Sequence, residues 1–176
     1  MALHLTARKI VGLGLALALG VLAGCAHYST NPHSKLTFNS VYVAPISNRS
    51  FAPQAQALLS QQLIESLQME SDQVSVTTRN NADVTVEVVI IDYNRTISAT
   101  QSRDTFLAQS YFVTMIAAVS LIDNRTGEVL MDGRRVSATV NTFVTPSGFV
   151  GVEYQTMPIL TRELATKIKD SVISVW

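Results

Sequence analysis

The residues that could do chemistry in this chain are few and badly placed for it. Its three histidines are His4, His27 and His33, all near the start, and Cys25 is its one cysteine. From Ser34 to the C-terminus there is neither imidazole nor thiol, so no Cys–His or Ser–His pair and no His/Cys metal cluster of the usual spacing is available. Asp83 and Glu87 share a parity in an alternating stretch and so form a formal carboxylate pair. Charged side chains at an exposed strand start are the plainer reading of both. Asn48-Arg-Ser, Asn94-Arg-Thr and Asn124-Arg-Thr match the N-glycosylation triplet, but each falls where a strand is expected to end, which makes them turn residues. After residue 24 no glycine-rich phosphate loop occurs. No catalytic residue, metal ligand or cofactor site is expected.

Cys25 has a different use. A basic tip, Arg8-Lys9, precedes an apolar run from Ile10 to Val21, and Leu22-Ala23-Gly24-Cys25 follows. The run is far shorter than the roughly 20 residues a membrane-spanning helix needs. The charged start and small-residue exit have the layout of a cleaved export signal. This stretch resembles a bacterial lipoprotein signal peptide, residues 1–24, ending in a lipobox. The resemblance implies cleavage before Cys25 and acylation of its thiol and new amine. An ordinary secretory signal that happens to end beside a cysteine is the alternative. An exported chain with one cysteine cannot close an internal disulfide, which gives the thiol over to another purpose. Each buried CH₂ of an acyl chain contributes about 0.8 kcal/mol, so two or more chains hold a protein to a membrane where one is marginal.

Without residues 1–24 the chain has 152 residues, the size of one ordinary domain. The balance of 13 basic and 13 acidic side chains becomes 11 against 13 once Arg8 and Lys9 are gone, a net charge of −2. A nucleic-acid partner would call for a strong basic excess. Residues 25–37 are short, polar and broken by Asn31-Pro32, and read as a tether. Twelve extended residues reach at most about 40 Å, so the body stays close to its membrane.

Residues 38–176 read as a single α+β domain. Ser40 to Pro45 is a first strand. From Gln54 to Met69, Ala55, Leu59, Leu63 and Leu67 recur at i, i+4 and predict an amphipathic helix. Val74–Thr77 reads as a short strand, and Asp83–Tyr93 as a longer one that begins half exposed and ends covered. Asn94–Gln109 has no clean period, and its centre reads as a polar loop. Ser110–Asp123 is a long strand, Asn124-Arg-Thr-Gly127 a turn with Gly127 free to take positive φ, and Glu128 onward the return strand. There Val136, Ala138, Val140 and Thr142 oppose Arg135, Ser137, Thr139 and Asn141. Thr145 to Thr156 reads as a loop, and Pro158, suited to a first helical turn, opens a second helix to Trp176 with Leu160, Leu164, Ile168, Val172 and Trp176 as its stripe. The fold class is an α+β two-layer sandwich: two amphipathic helices on one face of a mainly antiparallel, mixed sheet of four to five strands.

These pieces resemble the lipopolysaccharide-assembly lipoprotein family, LptE. The resemblance lies in Cys25-Ala-His-Tyr28 after the lipobox, Val41-Tyr-Val-Ala44 before a loop and helix, and Ala82-Asp83-Val84 opening a strand that ends near Tyr93-Asn-Arg. The long hairpin from Tyr111 to Val140 and the last helix complete it. It implies a non-enzymatic outer-membrane lipoprotein that plugs and assists an LptD-type β-barrel, passing lipopolysaccharide by binding and gating. It also implies a basic residue before the long hairpin that meets the lipid's phosphates. Arg103 occupies that region, with Arg95 second. A second basic position before the last helix has no match, since nothing between Arg135 and Arg162 is Lys or Arg. Ala26 after the cysteine resembles lipoproteins sorted to the outer membrane. Tyr42-Val-Ala-Pro45 and Leu121-Ile-Asp-Asn-Arg-Thr-Gly-Glu128 also resemble lipoproteins that activate peptidoglycan synthases or form curli-secretion pores. The short tether disfavours the first of these and the short chain the second.

Overall fold

A computed structural model describes residues 38–69, 74–101, 104–143 and 148–175. Six strands and two helices follow one another: β1 Ser40–Val43, β2 Ser47–Asn48, α1 Ala55–Gln68, β3 Ser75–Val76, β4 Val84–Gln101, β5 Asp104–Asp123, β6 Val129–Phe143 and α2 Gly148–Ile173. They form one sheet in the order β3-β1-β4-β5-β6, with β2 continuing beside β4 where β1 stops. Pro45, which has no N–H for a ladder, separates β1 from β2. β1 runs parallel to β3 and β4, while β4–β5 and β5–β6 are antiparallel. This is the expected α+β arrangement, with the parallel pairs confined to short strands.

Period dictates the core. Val84, Val86, Val88 and Ile90 of β4 stand on one face with Val113, Met115, Ala117, Val119 and Leu121 of β5, and all are buried. Against them lie Leu59, Leu63 and Leu67 of α1 and Leu160, Leu164, Ile168 and Val172 of α2, each with no exposed surface. Burying a side chain of this size contributes about 1.5–3 kcal/mol, so the two stripes alone decide where the helices sit.

The start of the central strand, β4, and the end of β5 beside it are fastened by polar groups. Asp83 Oδ2 accepts hydrogen bonds from the backbone N–H of Asn39 and Ser40 and from Ser40 Oγ, at 3.0, 3.1 and 2.8 Å, tying the start of β4 to that of β1. Of the formal carboxylate pair, Asp83 is therefore a structural clip, and Glu87 stands exposed. The turn into β6 is built as its sequence suggests: Asp123 Oδ1 accepts from the N–H of Arg125 and Thr126, and Gly127 has φ +73°.

Three sequence expectations are corrected. Residues 94–101 and 104–109 are strand, which reaches further into the centre of this stretch than the expected polar loop allows. With no helical or alternating apolar pattern of its own, this stretch is held by cross-strand hydrogen bonding between β4 and β5. Asn94 consequently lies within a strand and is no turn residue, whereas Asn48 accepts from Ser50 in a true turn. Finally, α2 begins at Gly148, so Pro158 sits inside the helix rather than at its start. An interior proline costs about 3 kcal/mol, but the turns before it are bound to the body through buried Val152, Thr156 and Met157.

Candidate functional site

The least regular part of the fold lies where β4 outruns its neighbours. β2 pairs with β4 only as far as Ile90. Beyond it, β4 continues to Gln101 as one side of a hairpin arm roughly 30 Å long at about 3.3 Å per residue. A bulge marks the departure: Ile90 pairs with Ala117, but Asp92 pairs with the adjacent Ile116. One extra residue exchanges the faces of everything that follows. Tyr93, Arg95 and Ile97, which the parity of β4 would have placed opposite the helices, now share the helix face with Met115, Val113 and Tyr111.

Tyr93 uses that placement. Its Oη donates to Glu153 Oε1 of α2 at 2.6 Å. Burial first, and then this bond, raise the phenol far above its ordinary range, so the tyrosine stays a donor at all relevant pH. Arg95 is exposed beside it and lines a shallow cavity of about 280 Å³ with Phe51, Tyr93, Asn94 and Glu153. A second cavity of about 260 Å³ lies between the starts of the helices, lined mainly by Pro53, Leu58, Tyr154, Met157 and Pro158. The turn into α1 beside it is strained: Gln54 has φ +55°, a left-handed conformation that costs a residue with a Cβ about 1 kcal/mol or more. Phe51 is 98% exposed and Tyr154 64%.

The arrangement offers two cavities with exposed aromatic side chains at their rims. Tyr93 and Glu153 hold each other, and no cluster of three metal-ligating side chains occurs among the described residues. Among the residues singled out by sequence, Arg95 stands at this end of the sheet, while Cys25 and Arg103 lie outside the described residues. Tyr93 and Glu153 had no local signal, since the bulge that aims the tyrosine is not encoded by any glycine or proline.

The fold defines a small α+β module, with no helix among the described residues long and apolar enough to cross a membrane. The model of the LptE family, described as lipopolysaccharide-assembly, matches residues 38–173, and the chain belongs to that family of non-catalytic lipoproteins. No curated protein matches the sequence. Solved structures share the fold at low identity. An uncharacterized lipoprotein B from Nitrosomonas europaea is 12% identical over 79% of this chain and 84% of its own, with a TM-score of 0.55. A hypothetical protein, CT253, from Chlamydia trachomatis is 14% identical over 78% and 96%, also at 0.55. A minor lipoprotein from Acinetobacter baumannii is 15% identical over 79% and 95%, at 0.51.

Proposed function

We propose that this chain is an outer-membrane lipoprotein, anchored through acyl groups on Cys25, that plugs and assists an LptD-type β-barrel during lipopolysaccharide assembly. The observation that carries the reading is the family match, which runs through the whole described body from Phe38 to Ile173. The mechanism is binding and gating without bond chemistry. The tether of residues 26–37, at most about 40 Å long, keeps the body beside the anchor, as a plug requires. Arg95, exposed on the hairpin arm, and Arg103 at the arm's tip in sequence are the proposed contacts to lipid phosphates. Arg95 shares its cavity with the Glu153 carboxylate, which offsets part of its charge and leaves Arg103 the stronger candidate.

The test is to express the full chain with a C-terminal tag in a bacterium that has an outer membrane, solubilise the membranes in detergent, and identify what co-purifies by mass spectrometry. One stoichiometric large outer-membrane barrel, with lipopolysaccharide carried along, is the expected result. Recovery of a penicillin-binding protein, or of this chain alone as a ring-sized oligomer, would overturn the proposal in favour of a synthase activator or a secretion pore.

A further inference from the structure

Both helices pack on one face of the sheet, and the outer end of the other face has an unusual composition. Here the bulge in β4 brings Asn94 and Thr96 into line with Thr114 and Phe112 of β5, which in turn pair with Thr139 and Asn141 of β6. Phe143, paired with Ser110, is the diagonal neighbour of Phe112. Such neighbours stand about 7–8 Å apart, within reach of one large ligand. The two rings are 45% and 64% exposed. Around them Asn94, Thr96, Ser98, Ser110, Thr114, Thr139 and Asn141 carry hydroxyls or amides; toward the middle of the sheet the same face continues into Asp92, Ile116 and Arg135.

The polar groups are already organised. Ser98 Oγ and Ser110 Oγ lie 2.6 Å apart, and Ser98 Oγ donates to Asn141 Oδ1 at 3.0 Å. Ser110 is buried, which fixes the group from beneath. With Oδ1 engaged, the Asn141 amide is oriented. Thr114 and Thr139 join across the strands at 2.9 Å. Two exposed rings beside an oriented amide and a row of hydroxyls suit one ligand chemistry in particular. The C–H groups on the flat side of a sugar ring carry small positive charge and rest on the negative face of an aromatic ring, while its hydroxyls exchange hydrogen bonds with amide and hydroxyl neighbours. Among the described residues around the rings a phosphate would find no cation, and an acyl chain no concavity.

We propose that the outer end of the uncovered sheet face, centred on Phe112, Asn141 and Phe143, binds neutral sugar rings of a glycolipid's saccharide portion. This rests on the lipopolysaccharide-assembly reading and adds a surface on the opposite face of the sheet from Arg95. The platform would hold the saccharide by its uncharged rings while the cationic side chains meet phosphate.

The full chain, purified in detergent, is titrated by NMR or calorimetry with core oligosaccharide freed of acyl chains and phosphate. In parallel it is titrated with a peptidoglycan disaccharide. Saturable binding of the oligosaccharide in preference to the disaccharide is expected. Phe112→Ala and Phe143→Ala should each weaken it about tenfold or more, the scale of one aromatic contact, while Phe143→Trp retains it. Barrel co-purification by the two alanine variants should persist. Absence of oligosaccharide binding with barrel capture intact overturns the platform and leaves the plug standing. Barrel capture lost in both alanine variants while oligosaccharide binding is unchanged makes these rings a protein contact and also overturns it, as does preference for the disaccharide. Both rings are exposed, so the fold should survive; should Phe112→Ala fail to fold, Phe143→Ala, near the end of the marginal strand, decides.

Discussion

Single residues carry more structural duty here than their types suggest. Asp83 is one carboxylate at a strand start, yet it accepts three hydrogen bonds that fasten β4 to β1. The Asn39 backbone N–H above all, with Ser40, holds its carboxyl below the ordinary 3.8. Because its folded pKa is the lower one, the clip stabilises the protein fully above the unfolded value and is lost as pH falls from about 3.8 through the folded value. Asp83→Asn should lower unfolding stability by about 1 kcal/mol at pH 7, with the deficit shrinking below pH 4, as followed by urea titrations at the two pH values. An equal deficit at both would refute the charged clip. The sequence placed this residue at a strand start correctly and still hid its role, since its partners lie more than forty positions away.

At the scale of elements, α2 is the instructive case. Its buried stripe from Leu160 to Val172 follows from spacing, but its first ten residues do not. Proline inside a helix removes the N–H that would reach the carbonyl four residues back, here that of Tyr154. Pro158→Ala should therefore raise the urea midpoint, by about 1 kcal/mol of stability, because the gained hydrogen bond and helix propensity outweigh the lost rigidity of the unfolded chain. A lowered midpoint would mean that the helix depends on the bend. β6 poses a different problem, being a 15-residue strand with a neighbour on one side only. Such margins recruit other strands unless guarded, commonly by lysine. Lys167 of α2 supplies the guard, its Nζ donating to the Ser137 carbonyl of β6 at 3.0 Å, while Arg134 reaches Ser171 Oγ. Removing the guard in Lys167→Ala should leave the fold intact and cause concentration-dependent self-association in analytical ultracentrifugation. A variant that stays monomeric at all concentrations would show that the lysine does not protect the strand.

At the scale of the whole molecule, the proposal to test is attachment through Cys25. If Cys25 bears the acyl chains, Cys25→Ala should move the protein from the membrane pellet to the soluble fraction or leave its signal uncleaved, as fractionation and intact mass would reveal; continued membrane association with normal processing would rule out lipidation as the anchor. The sequence by itself determined the α+β class, the two helical stripes, the β5–β6 hairpin and the family, because each is written in a local period or in short motifs that need no distant partner. Only the tertiary structure decided the rest. The bulge at Ile91 turns Tyr93 and Arg95 onto the helix face, cross-strand pairing makes a strand of an aperiodic polar stretch, and packing on the sheet carries α2 back through its own proline. In each the favourable term is a contact between segments far apart along the chain, and a local window of sequence contains only one half of such a contact.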